Sequence, residues 1–481
     1  MLVLSLQAPS AATCGRPAPL LLATTTSSSQ RRVVAEAAAE SVPRHVAVVM
    51  DGHARWARAR GVPWEEGHQI GLRTLHRVVR LSRAWGVRAL TAFACSHENL
   101  SRPKACTFKS TAGARSHFNS FPHASLRTYQ AEVDFLMRNL EAYIRDSVDE
   151  FSREGVRLHV IGDSPTRPAS LLTAAKEAHE ATRHNSDLVF MLAIGYSGRR
   201  DIAQACRGLA DDARRGELSP DDIDDARIAR RLATSIAAGE ELSCPDLVVR
   251  TSGELRLSNF LLWQSAYSEL YFTDAMWPDF DEGEYLKALA SYQSRDRRFG
   301  KRKSPCHRVP PPCSGAGEHT HGHGGGGAPP DGIAASARGG GDGRERAVVG
   351  RAGSAHEATS RNSDLVFMLA IGYSGRRDVA QACRGLADDA RSGQLRPEDI
   401  DDAMLAGRLA TSVAGEELSC PDLLIRTSGE QRLSNNFLWQ SAYSELYFTD
   451  TMRPDFDECK YLKALASYQS RNRRFGKTKS S

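Results

Sequence analysis

Short apolar runs alternate along the chain with stretches whose apolar residues recur at helical spacing. The first run, HVAVVM from His45 to Met50, stops at Asp51-Gly52. Ile70, Leu75, Val78, Val79 and Trp85 then fall roughly on one helical face, and Gly86 closes that stretch. Further runs occupy Val87 to Cys95, Val156 to Ile161, Leu188 to Ile194, Leu247 to Val249 and Leu270 to Phe272. Short apolar strands alternating with helical segments predict an α/β fold: a mostly parallel central sheet of about six strands, flanked by helices. In such folds ligands sit beyond the carboxyl ends of the strands. Asp51, Ser96 and Arg250 all fall at such ends.

The same pattern appears a second time in part. Residues 179–300 (HEATRHNSDLVFMLAIGYSGRRD…RRFG) recur at 356–476 (HEATSRNSDLVFMLAIGYSGRRD…RRFG), a period of about 177 residues. That is far longer than a solenoid unit, so it reads as a duplicated half-domain. Residues 301–354 are rich in Gly, Pro and Arg, cannot bury a core, and read as a linker. The expected organisation is residues 1–42 as transit peptide or disordered N-terminus, 43–300 as one domain, 301–354 as linker and 355–481 as the second copy. Residues 105–130 fit neither period, and the pattern resumes at Glu132. They read as a surface insertion or a retained intron within the domain.

Composition narrows the class. The 481 residues are 41% hydrophobic and 25% charged, ordinary for a soluble globular protein. A net charge of +5 is too mild to argue for nucleic acid. The ten cysteines form no C-x-x-C pair and read as reduced thiols of an intracellular protein. No apolar run reaches the roughly 18–20 residues that span a bilayer. The first 35 residues contain Arg16, Arg31 and Arg32 but no acid, and Thr24 to Ser29 is all hydroxylated. This is the composition of an organellar transit peptide.

Two segments carry chemistry. Asp51 ends a buried strand, where its hard oxygens suit Mg²⁺. Gly52 lets a ligand approach the backbone, the N–H groups that follow open a helix, and Arg55 supplies a donor fork for phosphate. An ordinary N-cap aspartate is the alternative. In the second segment, Arg250, Gly253, Arg256 and Ser258 lie within nine residues directly after a strand. Converging arginines and a hydroxyl suit a diphosphate, although a solvated charged loop has the same composition. Glu269 sits in an apolar setting and should pair with an arginine or a metal. By contrast, Asp221-Asp-Ile-Asp-Asp225 follows Ser219-Pro220 and reads as acids in the first turn of a helix. His319, His321 and His323 read as a fortuitous tract in the linker.

Taken together, HVAVVMDGHARWAR, ALTAFACSHEN with Arg102-Pro103, and PDLVVRTSGELRLSNFLLWQSAYSELYF resemble the cis-prenyltransferases, which include undecaprenyl and dehydrodolichyl diphosphate synthases. The likeness covers about residues 43–104 and 131–300. It implies condensation of isopentenyl diphosphate with an allylic diphosphate (farnesyl, geranylgeranyl or shorter), Mg²⁺ as cofactor, and a cis double bond in the product. By that likeness Asp51 is catalytic and binds Mg²⁺, while Gly52, His53, Ala54, Arg55 and Trp56 line its site with His68 close by. Ser96, His97 and Glu98 fall in the substrate cleft, Asn99 assists proton removal, and Arg102 is a further substrate contact. Arg250, Arg256 and Ser258 hold isopentenyl diphosphate, and Glu269 is a second Mg²⁺ ligand. A homodimer, peripheral membrane association through the product, and a plastid location are implied as well, with cytoplasm or the endoplasmic reticulum surface as the other locations.

His53, Ala54, Trp64, Leu100 and Gly195 depart from the family's usual residues. The second copy repeats Arg426, Arg432, Ser434 and Glu445 but has no counterpart of Asp51. It could substitute for the first copy beside Asp51, pack as an appendage, or be an artefact of joined exons. Two other readings of the chain stay open: a non-catalytic partner subunit of a heteromeric enzyme, and a mis-assembled inactive product.

Overall fold

A computed structural model describes residues 42–100, 123–295, 365–415 and 418–471, with isolated positions at 297, 357–359 and 362. The N-terminal segment, Arg102, the linker and its three histidines lie outside the described residues. The chain divides into two compact units, residues 1–295 together with 375–481, and residues 296–374.

In the first unit, β1 (His45–Val49), β2 (Ala89–Ser96), β3 (Val156–Ile161), β4 (Leu188–Tyr196), β5 (Leu247–Arg250) and β6 (Glu269–Phe272) form one sheet. Their order is β3-β4-β2-β1-β5-β6 and every pairing is parallel. All five residues of β1 and all nine of β4 are buried. Strands covered on both faces must be apolar throughout, which is why they read as unbroken runs rather than alternating ones. On one face α2 (Trp64–Ala84) sets Leu75, Val78 and Val79 beside Leu140 and Ile144 of α4 (His123–Arg153). The helix α4 takes in residues 123–130, which the sequence pattern had placed with the interruption. On the other face α6 (Gly198–Arg214) contributes Ile202 and Leu209. The first face also carries α5 (Ala169–Thr182), whose Leu171, Ala174 and Ala178 join the same core, while α1 (His53–Arg60) follows β1 and α3 (His97–Leu100) follows β2.

The chain continues through α7 (Asp225–Arg230), α8 (Ala233–Ala238) and α9 (Glu282–Ser294). Pro220–Asp222 is a single 3-10 turn with Asp221 exposed, and the Asp224 carboxylate accepts the N–H of Arg227 at 2.8 Å. The acidic run is thus a helix start with an N-cap. The second copy repeats the order with α10 (Gly375–Arg391), α11 (Asp402–Ala406), β7 (Leu423–Arg426), β8 (Glu445–Phe448) and α12 (Glu458–Ser470). There, among the described residues, β7 pairs with β8 alone, in parallel. It packs against the first copy through α10 on α6, as an appendage rather than a substitute. In the unit 296–374, residues 365–373 form no strand, and Leu365, Phe367 and Leu369 are exposed.

Candidate active site

Three neighbouring strands, β2, β1 and β5, end together and bring the expected residues into reach. Arg250, the last residue of β5, points its Nη2 at Asp51 Oδ2, 3.1 Å away. Arg55, one helical turn past Asp51, lies 3.3 Å from Oδ1. Burial opposes ionisation of Asp51, but Arg250 and Arg55 outweigh it and hold the carboxyl below its ordinary value. The backbone of Asp51 is equally fixed. Its N–H donates to Thr251 Oγ1 at 3.0 Å, and its carbonyl accepts from Ser252 Oγ at 2.7 Å and from the Trp277 N–H at 2.9 Å.

Arg250 itself is 5% exposed, and its Nη1 donates at 2.7 Å both to the Arg256 carbonyl and to Ser258 Oγ. Its buried Nε has no partner among the described residues. The loop that folds Ser258 back is strained: Ser252, Ser258, Asn259 and Leu261 all have φ between 46° and 74°. Non-glycine residues adopt that left-handed conformation at a cost, and it concentrates at functional loops. Gly52 has φ 103°, and a Cβ there would collide with Ser252 Oγ. Glycine at 52 is what lets the Asp51 and Arg250 loops approach.

No side chain caps α1, whose first N–H groups follow Gly52. An uncapped helix start beside two arginines is an anion site. Next to it opens a cavity of about 220 Å³ lined by Met50, Leu72, Val133, Leu136 and Leu140, with Asn99, His53 and His68 among its polar groups. His53 stacks on His68 with ring centroids 4.8 Å apart, and burial pushes its pKa down to about 3, so the ring is neutral. His68 also meets Glu132 at 3.2 Å.

The remaining expected residues are placed as follows. Ser96 Oγ accepts the N–H of Asn99 at 3.1 Å. Glu98 accepts from Asn259 Nδ2 at 2.7 Å. His97 begins α3, and burial lowers its pKa. Ala54 lies in the first turn of α1, and Trp56 donates its Nε1–H to Asp279 at 2.7 Å, which anchors that helix. Among the departures, Trp64 packs edge-on against His68 and Phe135. Gly195 has φ 67°, a conformation that glycine and asparagine share.

Glu269 is 1% exposed, and its carboxylate is held by Arg295 at 2.9 Å and Arg432 at 2.6 Å. Sequence reading left arginine or metal as its counter-charge; the structure supplies two arginines. Arg426 repeats the bonds of Arg250, to the Arg432 carbonyl at 2.8 Å and Ser434 Oγ at 2.6 Å. It is Arg250 that meets the aspartate.

Sequence reasoning missed Glu254, which bridges Arg55 at 3.3 Å and Arg256 at 2.7 Å. It also missed Asn259, whose Nδ2 serves Glu98, Ser197 and Tyr443. Both stand inside the quoted signature, but only their long-range partners reveal a role. Among the described residues no three His, Cys, Asp or Glu side chains gather as a metal cage. A single carboxylate still suits Mg²⁺, which is commonly held by one or two carboxylates together with substrate phosphates.

The family model for undecaprenyl diphosphate synthase matches residues 49–108, 120–300 and 331–476. A chloroplastic dehydrodolichyl diphosphate synthase of Solanum lycopersicum is 42% identical over 269 residues, covering 56% of this chain and 77% of the relative. An isoprenyl transferase of Bacillus subtilis (strain 168) is 39% identical over 259 residues, covering 54% and 88%. The solved lavandulyl diphosphate synthase of Lavandula x intermedia, in complex with dimethylallyl diphosphate, is 38% identical with a TM-score of 0.47, covering 55% of this chain and 100% of that one. With its parallel six-stranded sheet, its strand-end aspartate and arginines, and a family match over more than half its length, the chain belongs to the cis-prenyltransferases of the undecaprenyl diphosphate synthase family.

Proposed function

We propose that this prenyltransferase joins isopentenyl diphosphate to an allylic diphosphate primer, with Mg²⁺, to make a cis-polyprenyl diphosphate. The observation that carries the reading is the Asp51–Arg250–Arg55 cluster at an uncapped helix start, opening beside an apolar cavity. The allylic C–O bond breaks and diphosphate leaves with the bonding pair. The terminal alkene carbon C4 of isopentenyl diphosphate bonds to the allylic C1, positive charge develops at C3, and a proton passes from C2 to the released diphosphate or to water, which closes the C2=C3 double bond. Charge builds on the departing diphosphate, and preorganised donors aimed at it stabilise the transition state more than the ground state. The α1 N–H groups and Arg55 take the allylic diphosphate. Arg250, Arg256 and Ser258 take that of isopentenyl diphosphate. Asn99, which lines the cavity, is the residue proposed to assist removal of that proton. The leucines of α4 receive the growing chain.

Asp51 is the proposed direct holder of Mg²⁺, which when bound neutralises diphosphate charge. For Glu269 to join it, Arg295 or Arg432 must give way. The plastid location rests on the transit-like composition of the first 35 residues and on the chloroplastic relative.

Incorporation of radiolabelled isopentenyl diphosphate, run with farnesyl, geranylgeranyl and dimethylallyl diphosphates as primers, tests the reading. Mg²⁺-dependent product from at least one primer is expected, and Asp51→Ala should lower kcat by ~10³-fold or more. Absence of product with every primer overturns the reading.

A further inference from the structure

The contacts between the two copies come in pairs with the roles exchanged. The Asn259 N–H donates to the Ala442 carbonyl at 2.8 Å, and the Asn435 N–H to the Ala266 carbonyl at 2.7 Å. The Leu270 N–H meets the Gln431 carbonyl at 2.8 Å, and the Leu446 N–H meets that of Leu255 at 2.7 Å. Arg256 pairs with Glu445 at 2.7 Å, and Arg432 with Glu269 at 2.6 Å. Arg207 Nε reaches the Ile400 carbonyl, and Arg384 Nε reaches that of Ile223. Asn435, Ala442, Arg432, Glu445 and Arg384 are the repeat counterparts of Asn259, Ala266, Arg256, Glu269 and Arg207. Such exchange is the signature of a two-fold interface, in which one self-complementary patch meets itself. The axis is marked by Cys206 and its counterpart Cys383, both fully buried in one core where α6 meets α10.

This interface is built as a core. Cys206, Cys383, Leu386 and Ala387 are fully buried. Glu269 and Glu445 are each 1% exposed, and each is held by one arginine from its own copy and one from the other. Buried carboxylates stripped of such partners are strongly destabilising, so neither copy is suited to leave this face in water.

We propose that residues 375–471 are a built-in partner. They occupy, within one chain, the self-complementary face through which two copies of the first half-domain would pair. In place of the homodimer that the resemblance implies, the working molecule is one chain with one Asp51. The second copy, released from catalysis by lacking that aspartate, serves the site from behind: Glu445 holds Arg256, whose carbonyl holds Arg250.

Light scattering on the full chain, across a hundredfold range of concentration, tests this without any assay of activity. It is therefore independent of the proposed reaction. The expected mass is that of a single chain, 52.6 kDa, at every concentration. A second arm opens the seat: Cys383→Asp places a charge at the axis, should unseat the second copy, and should expose the first copy's face. The variant is expected to shift to twice the mass, while the milder Cys383→Ser keeps the single-chain mass with a lower Tm. A wild-type chain of twice the mass overturns the proposal. So does a folded Cys383→Asp chain, judged by circular dichroism, that keeps the single-chain mass. If Cys383→Asp does not fold, the wild-type mass decides alone.

Discussion

The nine residues LVFMLAIGY occur twice in this chain and have two fates. At Leu188–Tyr196 they are β4, buried at every position between β2 and β3. At residues 365–373 they form no strand, with Phe367 75% exposed where Phe190 is 0%. Identical local preference thus gives opposite outcomes. The difference lies in the neighbours: β2 and β3 are supplied by residues 89–161, which are present once. Arginine repeats the lesson at the site. Arg250 and Arg426 make the same two local bonds, but of the two it is Arg250 that meets Asp51, because β5, and not β7, pairs with β1.

Truncating the same side chain in both places separates the two fates most strongly. Phe190→Ala should cost about 3–5 kcal/mol of stability in urea unfolding, whereas Phe367→Ala should change it by less than about 0.5 kcal/mol. Equal losses would mean that the second segment is packed as the first is. Next come the arginines. Arg250→Ala should lower kcat by ~10²–10³-fold, the scale for losing one preorganised donor, and Arg426→Ala should stay within about threefold in the same incorporation assay.

A smaller effect concerns Asp201 on α6. Burial pushes its carboxyl up to about 6, although the Ala233 N–H, Tyr196 and Gln264 donate to it. A carboxyl whose folded pKa is raised stabilises fully below its unfolded value near 3.8 and loses that contribution as pH rises through about 6. Stability should therefore carry a component on the order of 2–3 kcal/mol that falls between pH 4 and 6. Asp201→Asn should remove that component, as read from the pH dependence of Tm. The smallest effect is expected at Asp221→Ala, an exposed residue of a helix start, which should leave activity within about twofold. A large loss there would make the acidic run part of the site.

Much of the fold was legible in the apolar runs, which landed on strands with ends at most two residues adrift. The site was legible in part, because Asp51, Ser96 and Arg250 stand at strand ends in sequence. What was not legible is pairing at a distance. Glu254 looked like another charge in a polar loop until it bridged Arg55 and Arg256. Glu269 looked equally suited to a metal or an arginine, and Arg432, a residue of the other copy, supplies one of its two counter-charges.

Where bonds are local, the sequence determined the outcome by itself. Both copies place Ser252 and Ser428, Ser258 and Ser434, and Asn259 and Asn435 at positive φ, and both cap a helix with the matching aspartate, Asp224 or Asp401. Turns and caps close within a few residues and travel with their sequence. Strands do not, because each of their backbone bonds is made to another strand. Whether LVFMLAIGY became a strand, and which arginine faced Asp51, was settled only when the tertiary structure supplied the neighbours to one copy and not to the other.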